Sequence, residues 1–159
     1  MKLGLGLNEV RIIDYNSGWK AEFERVKKNF MESTGLEGKR IEHIGSTAIK
    51  DMQAKPIIDL LVGVDNLASV DKPLLYSFKK SGFLRLKVER PGEIVLAKFE
   101  DDSHQVKTHY IHLVEYQKPL WKNLIFFRDY LNNNEYARNQ YLNIKEEFLK
   151  SHSEGIHKL

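Results

Sequence analysis

Apolar residues recur at Trp19, Phe23, Val26 and Phe30, with Lys20, Glu22, Glu24, Arg25, Lys27 and Lys28 between them. Spacings of four, three and four lay one apolar stripe along a helix and leave the charged side to solvent. Asn16-Ser17-Gly18 supplies the preceding turn, with Ser17 the expected N-cap, and Thr34 to Gly38 ends the helix. Ahead of it, Val10 to Tyr15 predicts a short edge strand. After it, Ile41 to Ile44 alternates until Gly45-Ser46 breaks the run, and Ile57-Ile58-Asp59-Leu60-Leu61-Val62 reads as a buried strand. Asp71 caps a helix with Pro73 in its first turn, and Gly82 stands where that helix should stop. Phe83–Val88 and Ile94–Glu100 flank a Pro91-Gly92 turn as a hairpin, and Val106–Glu115 is the next strand. Leu120, Leu124, Phe127 and Leu131, then Ala137, Tyr141, Ile144 and Phe148, form the stripes of a C-terminal helical pair hinged at Asn132-Asn133-Asn134. The pattern predicts an α+β fold, a mixed sheet of about five strands packed with helices, in a single domain over residues 1–159.

Composition narrows the class. At 42% apolar and 11% aromatic residues, the chain holds enough for a core, and no apolar run approaches the roughly 18 residues of a spanning helix. The Met1-Lys2-Leu3-Gly4-Leu5-Gly6-Leu7 start lacks a signal-peptide core, so a cytoplasmic location without membrane association is expected. With no cysteine, disulfides, thiolate catalysis and Cys-based zinc sites are excluded. The 25 basic and 22 acidic residues nearly cancel at a net charge of +3. That balance suits an anionic small ligand and is not the footprint of dedicated nucleic-acid binding.

One residue contradicts its surroundings. A carboxylate inside Ile-Ile-Asp-Leu-Leu-Val costs several kcal/mol, on the order of a lost buried ion pair, unless it is paired or metal-bound; a partner should face Asp59. Gly45 allows close backbone approach, Ser46 offers a hydroxyl, and a following helical turn points N–H groups at the same spot, the makings of a phosphate cradle. Twelve residues separate Ser46 from Asp59, enough to leave the turn and return along a neighbouring strand. Asp59 could then hold Mg²⁺ or Mn²⁺ against phosphates; otherwise it caps backbone or pairs with Lys55 or a histidine.

His109 and His112, three apart on a strand, face opposite sides in regular geometry, so at most one points at Asp59. An Asp59–His109–His112 cluster would suit a transition metal or place a general base. His43 precedes the turn, Lys55 could reach a phosphate as a point charge, and Arg128 could contact an anion from the tail helix. Glu89 and Glu93 flank the hairpin turn, where either could supply a further carboxylate.

The segments Ile41-Glu42-His43-Ile44-Gly45-Ser46-Thr47-Ala48, Ala54-Lys55-Pro56-Ile57-Ile58-Asp59, Thr108 to Val114 and Phe127 to Leu131 resemble the GrpB (UPF0157-like) family, within the DNA polymerase beta-like nucleotidyltransferase superfamily. The resemblance implies a nucleotidyltransferase-like fold. Taken with the residues above, the expected ligand is a nucleotide or phosphorylated small molecule with a divalent metal; Gly45, Ser46, Thr47, Lys55, His43 and Arg128 are the candidates for the phosphates, and Asp59, His109 and His112 for the metal or proton transfer. Two departures stand out. Leu61 occupies the place of the superfamily's second acid, two residues past Asp59 on the same strand face. Lys50-Asp51 replaces the family's Pro-Gly. A two-metal mechanism needs carboxylates on both ions, so a non-catalytic binding module and a metal-dependent phosphohydrolase stand beside nucleotidyl transfer.

Overall fold

The computed structural model describes residues 1–157. The apolar stripe of the first helix is α1 (Gly18–Thr34), which buries Trp19, Phe23, Val26 and Phe30. Ser17 does not cap it: its backbone is already helical and its side chain makes no capping bond. Asn16 takes that role, its Oδ1 accepting the Gly18 N–H at 2.7 Å.

Six strands form one mixed sheet. Along the path they run β2 (Ile41–Ile44), β3 (Ile58–Val64), β6 (Val106–Glu115), β5 (Glu93–Phe99) and β4 (Phe83–Arg90). The sixth, β1 (Leu5–Gly6), pairs with the start of β6. The expected strand at Val10–Tyr15 is reduced to one bridge, Ile13 to Ala54; the N-terminal pairing falls instead on Leu5-Gly6, whose backbone meets β6 before β3 begins. Most neighbours are antiparallel, but β3 and β6 are parallel, Asp59 lying opposite Tyr110 and Leu61 opposite His112. The connection between these two central strands carries α2 (Lys72–Lys80) and the β4–β5 hairpin. Asp71 caps α2 as expected, accepting the Leu74 N–H at 3.0 Å, and Gly92 takes the positive φ (75°) that the hairpin turn demands.

The two sheet faces have different fates. Alternation along β3 sends Ile58, Leu60 and Val62 to one face, where they meet Trp19, Phe23, Phe30 and Phe78 of α1 and α2 in the main core. Leu61 goes to the other face and packs with Ile44, Val114 and Trp121 beneath α3 (Pro119–Asn133). Helix α4 (Glu135–His157) follows the short Asn hinge. It packs Ala137, Tyr141 and Leu142 against Ile49, Met52 and Leu131, sealing the segment between β2 and β3. No helix among the described residues is long and apolar enough to cross a membrane.

Candidate functional site

Strand β2 ends at Gly45, whose φ of +77° turns the chain into a single 3-10 turn over Ser46–Ala48. The left-handed region favours glycine, and a second constraint acts here. A Cβ on Gly45 would stand 2.5 Å from Asp59 Oδ2 and 3.1 Å from Asp59 Cβ. The turn is thus shaped around the carboxylate that follows it in the neighbouring strand, where Ile44 pairs with Asp59.

The partner that Asp59 requires is His112. On β6 its Nε2 lies 3.1 Å from Asp59 Oδ1, while its Nδ1 lies 2.5 Å from Glu93 Oε1 on β5. Burial alone pulls an imidazolium down; the hydrogen bond and charge of Asp59, joined by those of Glu93, outweigh it and hold His112 above its ordinary value. With a carboxylate at each ring nitrogen, the imidazolium donates to both. Three side chains from three adjacent strands therefore form an acid–imidazolium–acid bridge on the α3 face of the sheet.

Across the turn, α4 contributes Lys145. Its ammonium donates to Ser46 Oγ and to the Gln53 carbonyl at 3.1 Å. Burial, then the charge of Lys55, brings it down to about 8. These groups edge a cleft of about 520 Å³ lined by Ser46, Lys55, Asp59, Tyr110, Tyr141 and Lys145. Two lysines and the Ser46 hydroxyl line it, Lys145 seated on Ser46, and the walls are largely apolar, a common composition for a small-molecule site.

The structure brings Gly45, Ser46, Thr47, Lys55, Asp59 and His112 together and sends His109, His43 and Arg128 elsewhere. His109 points into the opposite face, buried, its Nδ1 2.7 Å from the Thr108 hydroxyl and its Nε2 3.1 Å from Glu22 on α1. Burial drives its pKa down despite Glu22, so it is a neutral core histidine, and the three-residue offset on a strand is the reason. His43 also faces α1, edge-on to Phe23. Its Nε2 lies 2.8 Å from the Thr47 hydroxyl, and burial with the nearby Arg128 charge lowers it to about 4. Thr47 is thus an anchor of the turn, with its hydroxyl turned to His43. Arg128 ties α3 to β2, donating to Glu42 at 2.7 Å and to the His43 carbonyl at 3.0 Å, and lines a separate polar cleft with His43 and Asn132.

The donor set does not fit a two-metal centre. Leu61, where a second acid would stand, is fully buried under α3. Among the described residues no three His, Asp or Glu side chains gather in metal-binding geometry, because His112 already spans Asp59 and Glu93. An Asp59–His109–His112 cluster is ruled out by the sheet itself, which lies between the two histidines. The Glu89 side chain lies outside the described residues; Glu93 is the hairpin acid that reaches the site. Its signal was parity, since Glu93 and Val95 share a face and Val95 lies opposite His112. Lys145 also left a trace in the sequence, four residues past Tyr141 and thus on the same helix side.

The profile of the GrpB protein family matches residues 9–158. The chain is 38% identical over 156 residues to the glutamate-rich protein GrpB of Alkalihalophilus pseudofirmus, covering 98% of this chain and 90% of that protein. It resembles the crystal structure of the conserved protein GrpB from Enterococcus faecalis with a TM-score of 0.75 and 26% identity, over 90% of this chain and 85% of that one. It also resembles the Cid1 poly(U) polymerase solved with MgGTP, at a TM-score of 0.56 over 84% of this chain and 43% of that one; at 12% identity this likeness shows the fold, which is nucleotidyltransferase-like.

Proposed function

The chain belongs to the GrpB protein family, and from that premise we propose that it binds a nucleotide or phosphorylated small molecule in the cleft between the Gly45-Ser46 turn and α4. The observation that carries the reading is the seating of the Lys145 ammonium on Ser46, beside Lys55 and across from Asp59. Two cations and a hydroxyl lining an otherwise apolar cleft match a phosphate group attached to a less polar body. A phosphate oxygen can replace Ser46 as acceptor for Lys145, whose strained desolvation is then relieved by a full opposite charge. A single divalent cation arriving with the phosphates would find Asp59 at the cleft edge and would supply neutralisation of phosphate charge. Lys145 and Lys55 hold the anion, Gly45 leaves room for Asp59, and His112 with Glu93 fixes the Asp59 carboxylate.

A second reading keeps this binding and drops the transfer chemistry. It is favoured by Leu61, buried where the superfamily carries an acid, and by an imidazolium standing between the two acids that remain. Calorimetric titration with ATP, GTP, CTP and UTP, with and without Mg²⁺ or Mn²⁺, tests both. Binding that needs the metal and is lost in Asp59→Asn supports the transferase-like reading. Metal-independent binding that survives Asp59→Asn but is lost in Lys145→Ala supports the binding module. No binding of any nucleotide under either condition overturns the nucleotide reading, and with it the transferase-like one.

A further inference from the structure

Arg25, Arg40 and Arg128 each hold a carboxylate. Lys145 is held differently. Its ammonium donates to two neutral oxygens, Ser46 Oγ and the Gln53 carbonyl, and it belongs to no ion pair among the described residues. The Tyr141 ring, one turn back on α4, lies 5.1 Å from the nitrogen. The other titratable groups that line the cleft with it are Lys55 ahead of β3, Asp59 on β3 and Tyr110 on β6. The Asp59 carboxylate is turned to His112, 3.1 Å away, and Ile57, Ile144 and Phe148 give the wall its apolar character. A lysine desolvated in an apolar pocket, beside a second cation and without a carboxylate of its own, is in the surroundings that favour the free amine and make it a nucleophile. Burial and the Lys55 charge accordingly bring Lys145 down to about 8.

We propose that Lys145 is a nucleophile that forms an imine with a phosphorylated aldehyde or ketone in this cleft, with Lys55 and the Ser46 hydroxyl holding the phosphate. The phosphate half of the assignment rests on the reading of the cleft as a phosphate site; the nucleophile rests on the surroundings of Lys145 alone. A cleft of about 520 Å³ admits a ring or short chain with its phosphate. The ammonium first releases a proton to solvent. Its lone pair then forms a bond to the carbonyl carbon, and the C=O π pair moves to oxygen. One N–H proton passes through solvent to that oxygen, giving a carbinolamine. A second proton from solvent lets the oxygen leave as water with the C–O bonding pair, while the nitrogen lone pair closes the C=N bond. The product is a protonated imine, so the positive charge of Lys145 is kept beside the phosphate. Its departure from Ser46 frees that hydroxyl to donate to a phosphate oxygen.

The test is borohydride trapping of the full chain with pyridoxal 5′-phosphate near neutral pH, read by peptide mass spectrometry. Beside it runs 5′-deoxypyridoxal, which carries the same aldehyde without the phosphate. Lys145 should be labelled roughly tenfold or more faster than the exposed Lys20 and Lys50, because an ordinary lysine holds far less free amine at that pH. At Lys145 the phosphorylated probe should outpace 5′-deoxypyridoxal roughly fivefold or more, as a charge-assisted phosphate contact predicts, and inorganic phosphate should slow it. Lys145→Arg keeps a cation on α4 and should retain the fold by circular dichroism while losing the fast label. Labelling of Lys145 no faster than Lys20 and Lys50, or of Lys55 in its place, would overturn the nucleophile. Fast labelling of Lys145 by both probes alike, unslowed by phosphate, would instead overturn the phosphate reading of the cleft, and the phosphorylated substrate class with it.

Discussion

At Gly45 a backbone turn and a carboxylate compete for one small volume. The positive φ already costs a side chain about 1–2 kcal/mol, and a Cβ there would overlap Asp59 Oδ2. Gly45→Ala is expected to lower unfolding free energy by roughly 2–3 kcal/mol in urea titration, the sum of that strain and a displaced, half-buried acid; a loss of only a few tenths would mean that Asp59 does not press on the turn. His112 makes a prediction with a sign. Its pKa is raised in the fold by Asp59 and Glu93 against burial, so its contribution to stability is complete below the unfolded value of about 6.5. That contribution disappears as pH rises through the higher folded value. The stability gap between wild type and His112→Gln should therefore be largest in mild acid and shrink toward alkaline pH, as urea unfolding across that range would read; a gap that widens with pH contradicts the bridge. The need of Asp59 for a partner was legible in the sequence, because a carboxylate in an apolar strand has few alternatives. The identity of the partner was half legible. Parity allowed one of His109 and His112 at most, but choosing between them required knowing that β6 lies beside β3, and adding Glu93 required knowing that β5 lies on the other side.

The element that makes the turn into a site is α4. Its stripe of Ala137, Tyr141, Ile144 and Phe148 reads as core from its spacing, and Ala137 and Tyr141 do pack with Ile49, Met52 and Leu131. Ile144 and Phe148 instead stay more than half exposed and line the cleft. Apolar periodicity reports a face and not what covers it, which is why the cleft wall was not legible. Asn132 holds the approach, its Nδ2 donating to the Ala48 carbonyl at 3.1 Å and its Oδ1 accepting the Lys50 N–H at 2.9 Å. Helix docking then delivers Lys145 to Ser46. Because burial and Lys55 bring that ammonium down to about 8, the free protein loses the charge as pH rises through that value. ATP affinity should hold below about pH 7 and fall above pH 8, close to the Lys145 value and far below the roughly 10.4 of an ordinary lysine. Lys145→Ala should weaken ATP binding roughly tenfold or more at neutral pH, as loss of a charged hydrogen bond does, and should remove that step from the pH profile. Calorimetry at pH 6.5, 7.5 and 8.5 would read both; an unchanged profile in the variant would place the titrating group elsewhere.

At the scale of the molecule the sheet works as a partition. The α1–α2 face carries the main core and the other face carries the site, with one sheet serving both. His109 and His112 stand on opposite sides of that partition on one strand, which makes them a matched pair for testing it. His109 is buried between Thr108 and Glu22, and removing it opens a cavity under α1 and takes one hydrogen bond from each partner, leaving Glu22 to Arg25 and the Thr108 hydroxyl to the Lys98 carbonyl. His109→Ala should therefore cost roughly 2–4 kcal/mol of stability while leaving ATP affinity within about twofold of wild type, a difference under about 0.5 kcal/mol, below the temperature at which the variant unfolds. The converse substitution, His112→Gln, frees Asp59 at the edge of the cleft and should change ligand binding by more than it changes folding at alkaline pH, where the imidazolium no longer contributes. Unfolding and ATP titration on the same two variants separate the roles. If His109→Ala weakened ATP as much as it weakened folding, the two faces would be coupled through β6 and the partition would not hold; if only His112→Gln moved the ligand, the sheet insulates its core from its chemistry.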